Sequence, residues 1–478
     1  MSSRNVSVSP QRMLLPLAAA QFVCSFAGSN MNVAINSIAK DLGTTIQGVQ
    51  TAITLFLLTM AALMILGSKA TDRFGRKRIL IIGLSIYGAG ALIASLAQGL
   101  GLSIYGVGAV IAALAQGLVL LIVGYSIFEG VGSALLIPPV YILTTMLFPD
   151  IRSRAKAFGL ISGMAGAGAA AGPLIGGLIT TTISWRASFL LQALIVGWII
   201  LLSRKIVEPP APLQTRPPDV LGGILSAVGL VLVVIGILQA GTNWTLTIIL
   251  MASGFVLLAW FFVHIRARER TGQLPLLSTS LFRNRTSNLG LVTQNIQWLI
   301  LMGMSFTVSV YLQVVRGHTA IATGAIFTAA TVGVLLSSLT AERLAKRFAQ
   351  RTLILAGFAA TVAGIVLLVG PIVNTKSELL FLPGLFILGL GVGLMLTPSV
   401  NVVQSSFPED QQGEISGLSR SISNLGSSLG TAIAGTILVA DIAEGDNAYA
   451  IAMVVLGVIG VIGFAVAARL PRKVEAQT

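Results

Sequence analysis

One acid, Glu129, lies well inside an apolar segment of this sequence, within residues 124–139 (GYSIFEGVGSALLIPP). A carboxylate in hydrocarbon is costly and usually marks a functional site, such as one that binds and releases a proton. Ser126 lies three residues earlier on a similar helix face and is placed to hydrogen-bond this acid. We therefore predict Glu129 and Ser126 as proton-coupling residues. The alternative is a structural acid that stays neutral and hydrogen-bonded to a neighbouring helix.

Several polar side chains in other apolar segments are candidates for lining a central cavity. Asn32 and Asn36 share a helix face, as Gln294 and Trp298 do, because residues four apart are neighbours on a helix. A cavity with few charges and with amide, aromatic and Met side chains suits an amphipathic organic molecule, and not a strongly anionic one. Hydrogen bonding between helices is an equally good interpretation. The candidates are Asn32, Asn36, Gln294, Trp298, Asn401, Gln404 and Arg420.

A loop at residues 67–80 (GSKATDRFGRKRIL) is the densest cluster of charge within the hydrophobic part of the chain. It lies where one apolar run ends and the next begins, and such a cationic loop belongs on the cytoplasmic face of a membrane. Its acid can lie at a helix N-terminus or pair with a cation across the molecule, holding one conformation until substrate or proton shifts the balance. We predict a gating role for Gly67, Asp72, Arg73, Gly75, Arg76, Lys77 and Arg78.

The elements that carry these residues are membrane-spanning helices. The chain has 478 residues, of which 55% are hydrophobic and 10% charged, and its mean hydropathy is +0.91. Apolar runs of this length and number predict an all-α integral membrane protein with fourteen spans. Of the 30 Lys and Arg residues, 25 fall in loops on one side, which places both termini in the cytoplasm. The net charge of +14 follows this loop pattern, so nucleic acid is not a predicted partner.

The spans group into two bundles of six with two helices inserted between them. A linker at 204–218 contains five prolines and cannot be a span. We predict an N-terminal bundle at 1–203, two extra spans at 219–265, a cytoplasmic loop at 266–287 and a C-terminal bundle at 288–478. The segment RFAQR at 347–351 repeats RFGRK at 73–77, as two parallel halves would.

A tandem duplication interrupts this count. Residues 84–101 and 102–119 are identical at 14 of 18 positions. One copy would form about 27 Å of helix, nearly enough to cross a bilayer. A fifteenth crossing would move most later cationic loops to the other side, against the charge pattern. We therefore predict that the extra copy adds no net crossing.

Four segments resemble motifs of the major facilitator superfamily, and together with the span pattern the resemblance covers nearly the whole chain. The Gly-x-x-x-x-Asp-Arg-x-Gly-Arg-Lys-Arg pattern of the 67–80 loop resembles the superfamily's loop between spans two and three. The run Gly168, Gly172, Pro173, Gly176 and Gly177 in span five resembles the antiporter motif of its drug and proton exchangers; the alternative is a glycine packing seam. Residues 185–186 and 413–435 also resemble the fourteen-span drug:proton antiporter branch.

Three spans depart from the pattern of that branch. Ser126 stands where span four of the family has an arginine implicated in proton transfer, and Glu129 stands at the family's glutamine. Ala27 lies where an acid is expected in span one. Ser423 occupies a place in span thirteen often held by arginine, with Arg420 one turn earlier. With Ser126 and Ala27, two of the family's charged intramembrane positions are therefore neutral in this chain.

The resemblance implies a major facilitator fold and a secondary efflux transporter, not an enzyme, in the bacterial inner membrane. It would export amphipathic, cationic or neutral drugs or dyes in exchange for protons, by alternating access and as a monomer, with no cofactor or bound metal. No Gly-x-x-x-x-Gly-Lys-Ser/Thr loop indicates ATP as the energy source. Two alternatives remain: an exporter of one metabolite without proton coupling, and a non-transporting sensor or scaffold with the same fold.

Overall fold

The computed structural model describes residues 10–97, 117–148, 151–208, 219–345, 347–374, 377–408, 411–439 and 446–471. Within these residues, fourteen helices are long and apolar enough to cross a membrane, which confirms the predicted all-α class and number of spans. They are α1 (Pro10–Leu42), α2 (Ile46–Phe74), α3 (Arg76–Ser95), α4 (Leu118–Leu147), α5 (Ile151–Thr182), α6 (Trp185–Ser203), α7 (Val220–Gln239), α8 (Trp244–Arg270), α9 (Arg285–Val315), α10 (Ala320–Ala345), α11 (Gln350–Asn374), α12 (Phe381–Gln404), α13 (Gln412–Val439) and α14 (Asp446–Ala467).

The first six and the last six helices pack in the same pattern. In the first set α1 packs on α5, α4 packs on both α2 and α3, and α3 packs on α6. In the last set α9 packs on α13, α12 packs on both α10 and α11, and α11 packs on α14. Two parallel halves related by an axis along the membrane normal produce this repetition. The residue boundaries assigned to the two bundles stay predictions.

The two bundles meet along two symmetry-related helix pairs, α2 with α13 and α5 with α10. The inserted helices α7 and α8 pack on each other, and α7 also contacts α2 and α13 beside one of these pairs. We call the side of the molecule that carries the 67–80 loop the loop face. The opposite face carries the turn between α1 and α2.

Two helices contain a wider π-helical segment. In α4 it covers Ile122–Glu129, and in α9 it covers Tyr311–Val315 at the helix end. A π turn holds more residues than an α turn, so it rotates the side chains on either side of it to new faces, and such segments are frequent at functional sites. No hydrophobic periodicity in the sequence indicated either segment.

The extra copy of the duplicated sequence falls mostly on residues 98–116, which lie outside the described residues, so the prediction that it adds no crossing stays a prediction. The ends on either side of it lie at the same face of the molecule. The carbonyl oxygen of Ala97 accepts a hydrogen bond from Arg186, which also pairs with Asp41 near the end of α1. Gly117 lies beside the carbonyl oxygen of Leu42, the last residue of α1.

Candidate functional site

Glu129 is the last residue of the π segment of α4 and is completely buried inside the first bundle. Neither carboxyl oxygen has a hydrogen-bond partner among the described residues. The titratable side chains that interact with it electrostatically are Tyr87 of α3, Cys24 of α1 and Tyr125. The hydroxyl of Tyr87 donates to Gln192 Oε1 at 2.6 Å. The acid therefore lies where three helices of one bundle meet, close enough to the Tyr87 hydroxyl to interact with it electrostatically but outside ordinary hydrogen-bond geometry.

Ser126 does not form the predicted hydrogen bond with Glu129. Its hydroxyl donates to the carbonyl oxygen of Ala52 on α2, at 2.7 Å. The reason is the π segment that contains both residues, because side chains three apart in a π turn no longer share a face. Ser126 therefore joins α4 to α2, while Glu129 lies between α4 and the helices α1 and α3.

The 67–80 loop is held by close backbone packing and by an acid from outside it. A Cβ at Gly67 would lie 2.2 Å from the carbonyl oxygen of Ala134, so only glycine lets α2 and α4 approach this closely. Gly75 has a φ of 96°, a conformation that side chains disfavour. Glu208, which follows α6, accepts the backbone N–H groups of Arg76 and Lys77 at 2.9 and 3.1 Å. Its carboxylate thus occupies the positive N-terminus of α3.

The ion pair that crosses between the bundles at the loop face joins Lys69 of α2 to Glu414 in the first turn of α13. Glu414 also accepts the backbone N–H of Ser278, from the segment that follows α8. Asp72 lies near Lys69 but is not a member of this pair; its electrostatic neighbours are Lys69, Arg76 and Glu414. Neither Glu208 nor Glu414 was predicted from the sequence; Glu414, an acid in the first turn of a span, has a signal that could have been found.

The glycines of the 168–177 run face two different helices. Cβ atoms added at Gly168, Gly172 and Gly176 would lie 2.3, 1.9 and 1.7 Å from atoms of α1, within the first bundle. A Cβ at Gly177 would lie 2.5 Å from the carbonyl oxygen of Ala320 on α10, in the second bundle. The run is therefore a packing seam on one side and a contact between bundles on the other.

Pro173 belongs to the contact between bundles. A Cβ added at Gly324 of α10 would lie 2.2 Å from the carbonyl oxygen of Pro173. Near the same place the backbone N–H of Ile321 donates to the hydroxyl of Thr181, at 3.1 Å. The backbones of α5 and α10 thus lie in direct contact, so a small shift of either helix would change this contact between the bundles.

The α2–α13 contact is a row of hydrogen bonds from side chains to backbone carbonyl groups. Ser421 donates to the carbonyl oxygen of Ala61 at 2.5 Å, and Ser428 donates to that of Thr54 at 3.1 Å. Nearer the opposite face, Gln50 donates to the carbonyl oxygen of Thr431 at 3.0 Å. Each hydroxyl of this kind can return to a carbonyl of its own helix when the helices part. The sequence analysis did not find this row.

The predicted cavity residues divide between the two halves of the membrane. Asn32 and Asn36 contact Gln313 near the end of α9 at the opposite face. Gln294, also on α9, accepts a hydrogen bond from Ser419 at 2.9 Å. At 1.5 Å per residue, Gln294 and Gln313 are separated by about 28 Å along α9. In this conformation these candidates do not converge on one point.

The remaining candidates lie nearer the loop face. Arg420 of α13 donates a hydrogen bond to Tyr141 of α4, and its guanidinium lies over the Tyr141 ring, 4.6 Å from the centroid. Gln404 donates to Ser416 at 3.3 Å, Trp298 is half-buried and Asn401 is exposed. The Arg420–Tyr141 contact joins the two bundles in the loop-face half of the molecule. The assignment of these residues to a substrate cavity stays a prediction.

Comparison with known proteins agrees with this architecture. Residues 17–431 and 296–477 match the family model of the Major Facilitator Superfamily. The chain is 28% identical over 429 residues to a puromycin resistance protein of Streptomyces alboniger, covering 89% of this chain and 81% of that protein. It is 26% identical over 416 residues to the multidrug resistance protein Stp of Mycobacterium tuberculosis, covering 86% and 72%. A crystal structure of a peptide transporter superposes with a TM-score of 0.68 at 17% identity, over 96% and 95% of the two chains.

Proposed function

Because this chain belongs to the Major Facilitator Superfamily, and is thus a multi-pass membrane transporter and not an enzyme, we propose that it exports amphipathic, cationic or neutral organic compounds in exchange for protons. The loop face lies in the cytoplasm, with both termini, as the excess of Lys and Arg in its loops requires. The protein acts as a monomer.

The substrate class is supported by two independent features. The relatives along most of the chain are a puromycin resistance protein and a multidrug resistance protein. The polar residues near the boundary between the bundles are mainly amides and hydroxyls, with Arg420 already paired to Tyr141. Such a lining binds neutral and cationic amphiphiles through apolar and hydrogen-bonding contacts, and offers no cluster of cations to a strongly anionic substrate.

Alternating access is supported by the contacts that join the two bundles. At the loop face they are the Lys69–Glu414 ion pair and the Arg420–Tyr141 contact. At the opposite face they include the hydrogen bonds of Gln50 and Gln313 and that of Ile321 to Thr181. These bonds are polar and individually weak, and they can be exchanged for bonds to water or to the same helix. One face can therefore open while the other stays closed.

The observation that carries proton coupling is the position of Glu129. Its carboxyl group is fully buried, without a hydrogen-bond partner among the described residues, where α1, α3 and α4 meet. An unpaired charge in such a place is costly, so the acid must be neutral in this conformation and can ionise only when the helices around it part. Proton release is thereby tied to the packing of α1 against α3 and α4.

The test is proton movement in proteoliposomes with an imposed pH gradient when a cationic dye is added. We expect dye efflux and proton flux to be coupled in the native chain. Glu129→Gln should bind the dye and transport it without proton exchange. Glu378→Gln is the matched control, because Glu378 is an exposed acid just before α12 that pairs with His318 at the opposite face of the second bundle, away from Glu129, and it should transport dye and protons as the native chain does.

Three outcomes separate the alternatives. Equal dye movement in the native chain and in Glu129→Gln, with no proton flux in either, would favour an uncoupled exporter and make Glu129 structural. Transport of a single metabolite but of no dye would overturn the proposed substrate class. An absence of movement of any substrate would favour the non-transporting sensor or scaffold.

A further inference from the structure

The side chain of Gln313 bridges two backbone groups of α1. Its Nε2 donates to the carbonyl oxygen of Asn32 at 3.0 Å, and its Oε1 accepts the backbone N–H of Asn36 at 3.2 Å. These two α1 groups, a carbonyl at position i and an N–H at i+4, are the pair that an uninterrupted α-helix joins to each other. The amide of Gln313 thus hydrogen-bonds to a backbone carbonyl and a backbone N–H of a helix in the other bundle.

The surroundings make this contact specific. Gln313 is 2% exposed and lies in the π segment Tyr311–Val315, which turns it toward α1. A third bond returns from α1, since the side-chain amide of Asn36 donates to the backbone carbonyl oxygen of Gln313 at 3.4 Å. A primary amide has one donor side and one acceptor side, so among neutral side chains of this length only Gln satisfies both backbone groups.

We propose that Gln313 is the positioning residue that sets how readily the opposite face opens. When this face opens, Gln313 turns to water, while the Asn32 carbonyl and the Asn36 N–H remain within α1, a continuous α-helix whose own ladder can satisfy both groups. Both states then satisfy the same backbone groups, so the closed and open forms differ little in free energy. This rests on the proposed alternating access, and it does not require proton coupling.

The contacts that hold the two faces closed therefore differ in charge. The loop face is held by the Lys69–Glu414 ion pair, and the opposite face by the neutral hydrogen bonds of Gln313. The Lys69–Glu414 ion pair is weakened by salt, because both side chains are partly exposed. The Gln313 bridge contains no charge and is buried, so its strength should not depend on ionic strength. Added salt should therefore favour opening of the loop face and leave opening of the opposite face unchanged.

The experiment measures labelling of a reporter cysteine by a membrane-impermeant maleimide applied from the opposite face. The reporter is Val310→Cys, in a chain whose native cysteine is removed by Cys24→Ala. Val310 is 2% exposed and lines a small cavity between the bundles, near Gln50. Labelling therefore reports opening of this face directly and does not depend on transport.

We expect Gln313→Leu to raise the labelling rate about tenfold, the effect of losing one to two net hydrogen bonds. The matched control is Gln47→Leu, which removes an amide of the same size near the same face; among the described residues, the Gln47 side chain forms no hydrogen bond to the other bundle. It should leave the rate unchanged. Added salt should not change the labelling rate of the chain with native Gln313.

The variant Gln313→Glu separates the proposed role from a purely structural one, because only the proposed role predicts that its effect on labelling depends on pH. In Gln313→Glu the ionised side chain accepts the Asn36 N–H but repels the Asn32 carbonyl, whereas the protonated side chain can donate as the amide does. We compare the labelling rate of Gln313→Glu with that of the chain with native Gln313 at each pH. The ratio of the two rates should be well above one near neutral pH and should fall toward one on acidification. This reversal occurs in one folded sample, so it stands even where Gln313→Leu fails to fold.

Two results would overturn the proposal. One is an equal labelling rate for Gln313→Leu, Gln47→Leu and the native chain. The other is a rate ratio for Gln313→Glu that does not change with pH. Labelling that changes as expected, in a native chain that exports no dye, would instead leave Gln313 as it is proposed and count against the proposed function.

Discussion

Alanine at Gly168 should destabilise the first bundle, because the added Cβ would lie 2.3 Å from the backbone carbonyl oxygen of Phe22 on α1. A backbone oxygen cannot rotate away as a side chain can. Since non-bonded heavy atoms prefer separations of about 3.5 Å, α1 and α5 would have to move apart by about 1 Å. This perturbation adds only one methyl group and changes no charge.

The expected magnitude follows from two opposing terms. Overpacking of this kind costs about 1–3 kcal/mol. Replacement of glycine by alanine inside a helix returns about 0.5–1 kcal/mol. The control is Gly166→Ala in the same helix, where no atom lies within 4 Å of the added Cβ, so only the second term applies. The two variants should therefore differ by about 1–3 kcal/mol in the free energy of unfolding.

The assay is the thermal stability of the detergent-solubilised protein, followed by the fraction that remains monodisperse after heating. Gly168→Ala should unfold at a lower temperature than the native chain, and Gly166→Ala at the same or a higher one. Gly177→Ala should change stability less but alter labelling of Val310→Cys, because its Cβ meets α10 in the other bundle. Equal stability of Gly168→Ala and Gly166→Ala would refute the assignment of this seam.

Three further perturbations have defined outcomes. Glu414→Gln should open the loop face about fivefold more often, as expected for loss of a partly exposed ion pair with Lys69; unchanged labelling of a cysteine at Ser421 from that side would count against it. Glu208→Gln should lower the free energy of unfolding by about 1 kcal/mol, because an amide oxygen can accept only one side of the α3 N-terminus; a thermal shift no larger than that of Glu378→Gln would contradict this. Burial alone would raise the pKa of Asp219, but hydrogen bonds from His264 and from the backbone N–H groups of Gly222 and Leu276 hold it below its ordinary value. The carboxylate therefore contributes stability above the unfolded-state pKa of about 3.9 and loses it as pH falls through the lower folded pKa. The stability difference between the native chain and Asp219→Asn should shrink as pH falls below about 4, and a difference that grew over that range would show the sign to be wrong.

The membrane character and the number of spans could be predicted because they depend on local properties of the chain. Every backbone polar group in hydrocarbon needs a partner, so each long apolar run must become a helix. The fourteen predicted spans are confirmed on that basis. The run at 168–177 was likewise visible, because small residues at helical spacing permit close helix packing wherever they occur.

The partners of the candidate residues could not be predicted, because they depend on the local helical period and on contacts between distant segments. Ser126 and Glu129 share a face only if α4 is a regular α-helix, and the π segment directs Ser126 to Ala52 instead. Gln313 contacts α1 for the same kind of reason, since it lies in the second π segment.

The sequence by itself determined the spans, their charged loops and the glycines that let helices approach, since hydrophobic length and residue size act locally. Tertiary structure alone decided which of these groups meet. It placed Lys69 on Glu414 and Gln313 on the backbone of α1, and it left the oxygens of Glu129 without a hydrogen-bond partner among the described residues. The physical reason is that two bundles packed about an axis bring together residues hundreds of positions apart, and no local pattern records that contact.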